Sequence, residues 1–141
     1  VYDGDTLEVS GLGKVRLLGV DALDSRNRAK VQSQARHLGM TVDQVSRWAL
    51  KAEEFVRRKL QDRRVQLAFG PDRRGDYGRL LAYVYLKEDG RRVNVNELLL
   101  REGLATAYRA FSHPLKQRFL EVERQACREE KGLWKEASST W

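Results

Sequence analysis

The sequence has few of the residues that cross-link small proteins or bind their metals. In 141 residues it has one cysteine, Cys127, and two histidines, His37 and His113. A single cysteine excludes an internal disulfide, and this set leaves no cluster of zinc ligands. Because Cys127 lies inside a helical pattern, we expect it to be a small packing residue.

Long apolar runs and linkers are also missing. The uncharged apolar runs are only a few residues long, so none can span a membrane. Internal repeats, low-complexity segments and Pro/Ser-rich linkers are absent from the sequence, which has two prolines. With 41% hydrophobic and 33% charged residues, the composition predicts one globular domain over residues 1–141. The chain begins inside a strand-like pattern and shows no signal peptide, so we expect a domain trimmed at the start of its first strand.

Positive charge is what the sequence has in excess. It carries 27 Lys and Arg against 20 Asp and Glu, a net charge of +7 and a pI near 9.8. Such a surface attracts polyanions, and the planar fork of arginine suits phosphate recognition. Nucleic acid is therefore one predicted partner, and a solvated basic face without a ligand is the alternative.

Apolar periodicity and turn residues predict an α+β fold. We expect helices from the capping box of Thr41 and Gln44 to Leu60, from the cap Asn94 to a stop at Gly103, and from Ser112 and Pro114 to just before "GLW". Residues 24–40 look irregular. The predicted strands cover residues 1–9, 14–20, 65–69, 80–86 and 92–93, with a brief extended piece at 106–108. Five short, mostly antiparallel strands and three helices indicate a small closed barrel with helices packed at its ends.

Two acids at strand ends are the first candidate for chemistry. "DGDT" near the start places Asp5 beside a predicted strand, and "VRLLGVD" ends in Asp21. If these strands are neighbours, the two carboxylates converge and suit a hard cation such as Ca²⁺. The alternative for "DGD" is a simple turn, since Asp-Gly is a turn dipeptide.

Two arginines sit where they could face these acids. Arg16 begins an apolar run, and Arg79 follows a glycine where a loop enters a strand. Each needs an anionic partner, either a carboxylate in a structural salt bridge or a bound phosphate. Together with a diacid metal site they would form a constellation that cleaves phosphodiesters.

The order of motifs "DGDT … VRLLGVD … DYGRLLAYVYL … VN…LL…GLA…Y … E..A....GLW" closely resembles the staphylococcal nuclease (thermonuclease) family over nearly the whole chain. The resemblance implies an OB-type barrel of five strands with three helices. It also implies Ca²⁺-dependent cleavage of DNA and RNA. We expect single strands to be preferred, and a monomer is the default expectation. A secreted or cell-envelope location is compatible with it.

The resemblance also implies roles for individual residues. Asp5 and Asp21 are the metal-binding carboxylates, and the main-chain carbonyl of Ala22 is a further ligand. Arg16 and Arg79 are the arginines that stabilise the transition state. Two tyrosines contact the substrate: Tyr77 the terminal phosphate, and Tyr108 the base and sugar pocket.

The loop after Asp21 departs from the family pattern. Members usually read "TPE" there, with the glutamate as the proposed general base, and this chain reads "ALD". Asp24 is then a base with an arm one methylene shorter. This replacement leaves a second hypothesis open, an OB-fold module that binds single strands without cutting them. A protein-interaction domain is a third class, for which the sequence shows no exposed apolar stripe.

Overall fold

The computed structural model describes residues 1–74 and 80–138. Its strands are Thr6–Val9 (β1), Gly13–Leu17 (β2), Val20–Ala22 (β3), Gln66–Arg74 (β4), Leu80–Glu88 (β5), Arg91–Asn94 (β6) and Ala105–Ala107 (β7). Its helices are Arg28–Leu38 (α1), Val42–Leu60 (α2), Val95–Arg101 (α3) and Lys116–Arg128 (α4), followed by a 3-10 helix at Gly132–Lys135. The predicted α+β class is confirmed.

The main sheet has five strands in the order β1-β2-β5-β4, with β6 also paired to β5. Strands β2 and β5 run parallel, with Val15 opposite Leu80, and the other three pairs are antiparallel. Within the described residues no ladder joins β1 to β4, so the predicted closed barrel is not confirmed. A separate antiparallel pair, β3 with β7, places Asp21 opposite Thr106.

The strand predicted over residues 14–20 is in fact two strands. Gly19 has a φ of +81°, a value that residues with a side chain seldom adopt. The chain therefore turns after Leu17 and leaves the main sheet, and Asp21 lies in the small sheet instead.

The prediction that residues 24–40 are irregular is wrong, and so is the count of three helices: the described residues contain four α-helices. Asn27 caps α1 by accepting the Lys30 N–H at 3.1 Å. The helix has only three buried residues, Val31, Ala35 and Leu38, which is why its pattern is weak in the sequence. They pack with the start of α2 and with Leu133 and Trp134, so contacts with distant segments stabilise this helix.

Helices α2 and α3 agree with the predictions, whereas α4 begins at Lys116, after the start predicted at Ser112 and Pro114, and has no side-chain cap. Thr41 and Gln44 form the reciprocal capping box of α2. Asn94 accepts the Glu97 N–H at the start of α3, at 3.0 Å, and Gly103 follows that helix with a φ of +68°. No helix in the described part of the chain is both long and apolar enough to cross a membrane.

Candidate active site

The fold brings Asp5 and Asp21 together beside the small sheet. Asp5 directly precedes β1 and is 7% exposed. Its Oδ2 accepts the main-chain N–H of Ala22 at 3.0 Å, and its carbonyl accepts the N–H of Leu17 at 2.8 Å. These bonds tie the start of β1 to the residue after Asp21, so both carboxylates face the same space.

Arg16 lies between the two acids. Its Nη2 is 3.2 Å from Asp21 Oδ1 and 3.5 Å from Asp5 Oδ2. Its Nη1 donates to the carbonyls of Leu17 and Val20, at 3.0 and 2.9 Å. Because β2 turns away at Gly19, these carbonyls surround the guanidinium and set its orientation. The side chain is 15% exposed.

Burial makes the ionised forms of the site acids unfavourable, and the nearby cations offset this only in part. Burial is the main reason that the pKa of Asp21 is raised, and Asp5 raises it further, while Lys30 and Arg16 act against the shift. Burial and repulsion by Asp5 raise the pKa of Asp3 to about 6. Lys30 Nζ reaches Asp21 Oδ1 only at 3.8 Å. The buried carboxylate of Asp21 is therefore only partly compensated, and a further cation would stabilise its ionised form.

The donor chemistry fits a hard divalent cation. Carboxylate and carbonyl oxygens are the ligands that Ca²⁺ prefers, and Asp5 and Asp21 supply two carboxylates beside the main chain of Ala22. The described residues contain no group of three or more His, Cys, Asp or Glu side chains arranged to hold a metal ion. Water, main-chain carbonyls and substrate oxygens would have to complete the coordination of any bound cation.

The acids and Arg16 line a cleft of about 760 Å³. Tyr108 and Phe111 form another part of its wall, with ring centroids 5.1 Å apart. The guanidinium carbon of Arg16 lies 5.5 Å from the centre of the Tyr108 ring. The cleft thus places an aromatic surface next to the charged groups, an arrangement that suits a ligand with both anionic and planar parts.

Comparison with known proteins identifies the relatives of this chain. Residues 14–136 match the family described as staphylococcal nuclease homologue. The chain belongs to the staphylococcal nuclease family. It is 35% identical to the uncharacterized protein MJ1439 of Methanocaldococcus jannaschii, with 95% of this chain and 68% of that protein covered. It is 30% identical to the thermonuclease of Staphylococcus hyicus (95% and 72% covered) and 39% identical to the endonuclease YncB of Bacillus subtilis (73% and 43% covered).

In this member of the staphylococcal nuclease family, Asp24 shapes the loop that leads into α1. It lies in the segment "ALD", which departs from the usual motif. Its Oδ1 accepts the N–H groups of Arg26 and Asn27, both at 2.7 Å. Its own N–H donates to Gln34 Oε1 at 2.9 Å. A short carboxylate makes this turn easily, because Asp side chains bond to the main chain two residues on. One oxygen of Asp24 is therefore already engaged.

Several residues that line the cleft were not predicted from the sequence. Two predicted site residues lie outside the part of the chain that the structure describes. Phe111, Arg26 and Glu53 line the cleft but were not predicted as site residues. The position of Phe111, three residues after Tyr108, was the available signal for it. Nothing in the sequence distinguishes Glu53 from the other polar residues of α2. Tyr77 and Arg79 fall within residues 75–79, which the structure does not describe.

Proposed function

We propose that this protein is a nuclease that hydrolyses phosphodiester bonds in both DNA and RNA and depends on Ca²⁺. The observation that carries the proposal is the position of Arg16, which contacts both Asp5 and Asp21 in a cleft walled by Tyr108. Relatives of similar sequence are named thermonuclease and endonuclease, which supports the same reaction class.

The residues divide the chemistry as follows. Asp5, Asp21 and the Ala22 carbonyl would hold the cation, which when bound supplies a Lewis acid for the phosphate. Arg16 then stabilises the negative charge that develops on the phosphate oxygens. The resemblance gives Arg79 the same role.

Asp24 is proposed as the general base. Its Oδ1 holds the loop, and we assign to Oδ2 the proton that the attacking water gives up. A base positioned in this way contributes roughly 10²–10⁴-fold to the rate.

The aromatic wall indicates how the substrate binds. Stacking of a base on Tyr108 tolerates any base, because every base has a π-face, and it favours unpaired bases. We therefore propose single-stranded DNA and RNA as the preferred substrates, with Tyr77 contacting a terminal phosphate. The protein is proposed to act as a monomer.

The decisive test is cleavage of denatured DNA and of RNA in Ca²⁺, repeated in EDTA. Cutting of both substrates that stops in EDTA supports the proposal. Absence of cleavage at saturating Ca²⁺ would rule the nuclease out.

Asp24→Asn tests the base separately, because an asparagine oxygen still accepts the two loop N–H groups but carries no charge. The variant should fold normally and lose at least about 100-fold in kcat. Asp43→Asn is the matched control, since Asp43 is an exposed residue in the first turn of α2. A kcat for Asp24→Asn equal to that of the control would remove Asp24 from the mechanism.

A second candidate function is a module that binds single strands without cutting them. The observation in its favour is that Asp24 Oδ1 and the Arg16 guanidinium are both already engaged in internal bonds. Binding of a labelled single strand, with no cleavage in Ca²⁺, would identify this function.

A further inference from the structure

A second arginine, Arg26, lines the cleft with an exposed side chain. The Nη2 of Arg26 lies 3.1 Å from Glu53 Oε1. The Arg26 side chain is 65% exposed, whereas that of Glu53 is only 11% exposed. A buried acid on α2 therefore holds one end of a guanidinium that remains open to solvent.

The packing of α2 explains why Glu53 is in the cleft. A Cβ atom added to Gly4 would lie 2.7 Å from Ala22 Cβ and 3.0 Å from Ala52 Cβ. The helix thus sits directly against the segments that carry Asp5 and Asp21, and Glu53 is the next residue along it. Close packing at Gly4 brings this carboxylate to the cleft wall.

Glu53 is paired with two arginines through the same oxygen, Oε1. A buried carboxylate is unfavourable unless a cation or several hydrogen bonds compensate it. Arg26 supplies one contact, and Arg57, one helical turn along α2, lies 3.6 Å away. Arg26 lines the cleft, and Arg57 lies outside the cleft that the described residues form.

The charges lining the cleft give Arg26 a role that the other cations do not fill. The described residues line it with five carboxylates and three cationic side chains, Arg16, Arg26 and Lys30. Arg16 and Lys30 both point to Asp21 and are 15% and 43% exposed. Arg26 is therefore the most exposed of these three cations, and the one most accessible to a polyanion that enters the cleft.

We propose that Arg26 binds a backbone phosphate of the nucleic acid next to the reacting one, and that Glu53 is the positioning residue that aims it. This inference rests on the proposed function, since it requires a nucleic-acid substrate. With Nη2 anchored on Glu53, the remaining guanidinium donors can form charge-assisted bonds to phosphate oxygens. The anchor reduces the conformational freedom that a long exposed side chain loses on binding.

The salt dependence of binding measures this contact directly. Binding of a fluorescently labelled oligothymidylate is followed in EDTA at several salt concentrations, for the wild type, Arg26→Ala and Arg57→Ala. Each lost phosphate contact lowers the slope of log K against log salt by about 0.7 for a single strand. We expect that decrease for Arg26→Ala and none for Arg57→Ala, which removes the same charge and touches the same Glu53.

Variants of Glu53 test the positioning role. Glu53→Ala should raise KM with little change in kcat, and Glu53→Gln, whose amide oxygen still accepts from Arg26, should restore KM. In the Arg26→Ala background Glu53→Ala should weaken binding no further, because the residue that it positions is gone. If Glu53→Ala weakens binding as much in the Arg26→Ala background as in the wild type, Glu53 does not act through Arg26.

The outcomes separate this inference from the nuclease proposal. If the wild type cleaves in Ca²⁺ but Arg26→Ala leaves the slope unchanged, or changes it no more than Arg57→Ala does, Arg26 only neutralises Glu53 and the inference fails alone. If the slope falls only for Arg26→Ala and Ca²⁺ gives no cleavage, the phosphate contact of Arg26 stands without a reacting phosphate beside it, and the nuclease proposal fails. If the wild type binds no oligonucleotide in about 50 mM salt, where phosphate contacts are only weakly screened, both the inference and the nuclease proposal fail.

Discussion

Replacing Arg16 by methionine should expose the repulsion between Asp5 and Asp21. Methionine keeps much of the volume and removes the charge. Two ion contacts, at 3.2 and 3.5 Å, and two hydrogen bonds to main-chain carbonyls disappear together. What remains is a pair of mostly buried carboxylates that face each other without a guanidinium.

The expected loss of stability is large. Removing one partner from a buried charge network costs about 3–5 kcal/mol. Because Asp21 is partly exposed and Lys30 stays nearby, we expect a value near the lower end, about 3 kcal/mol. For a domain of this size that corresponds to a decrease in Tm of roughly 10 °C.

The loss should depend on pH with a definite sign. In the native protein burial and Asp5 raise the pKa of Asp21 above its ordinary value of 3.8. Ionisation of this group therefore opposes folding as pH rises through the native pKa, and loss of Arg16 removes one of the cations that counter this. The deficit of Arg16→Met relative to the wild type should shrink when the pH is lowered from 7.5 towards 4.

Urea unfolding followed by the fluorescence of Trp48 and Trp134 measures both effects. The experiment is run in EDTA at pH 7.5 and at lower pH values, and repeated with CaCl₂, which should stabilise the variant if the acids repel each other. Arg47→Met is the control, since Arg47 is half exposed where it pairs with Glu136 and should change stability by less than about 1 kcal/mol. If Arg16→Met loses no more stability than this control at pH 7.5, or loses the same amount at every pH, Arg16 is not the cation that compensates the two acids.

Three further predictions concern positions outside the diacid site. A Cβ on Gly103 would collide with the main-chain carbonyl of Lys131. Gly90 also has a positive φ but lies in open space, so Gly90→Ala should cost roughly 1 kcal/mol of stability. Gly103→Ala should cost at least twice as much, which thermal unfolding of the two variants measures. Burial raises the pKa of Cys127 to about 11, so its thiol should react slowly with a disulfide reagent at pH 8 and rapidly in urea. Burial lowers the pKa of His113, so the unfolded state binds a proton on this side chain more readily than the native state does. The free energy of unfolding should therefore fall as pH drops below about 6.5. Urea titrations of His113→Gln should show a smaller fall.

Features that depend on residues close together in the chain could be predicted from the sequence. The capping box of Thr41 and Gln44, the cap Asn94 and the stop at Gly103 act within one helical turn, so their positions could be predicted correctly. The family could also be recognised, because its motifs appear in order along the chain.

Contacts between segments that are distant in the sequence could not be predicted and depend on how the elements pack. Helix α1 was missed because its three buried residues gain their stability from Leu133 and Trp134, far along the chain. The parallel pairing of β2 with β5 was missed because two helices and two strands separate β2 from β5 in the sequence. In both cases the deciding contacts lie beyond any local pattern.

The same division holds within the candidate site. The sequence placed acids and an arginine at strand ends, but the turn at Gly19 and the close packing at Gly4 decide that Arg16 bridges the acids and that Glu53 reaches the cleft. Periodicity indicates which side of an element is buried and not which other element covers it. Side chains from distant segments become neighbours only when those faces pack, and that packing assembles this site.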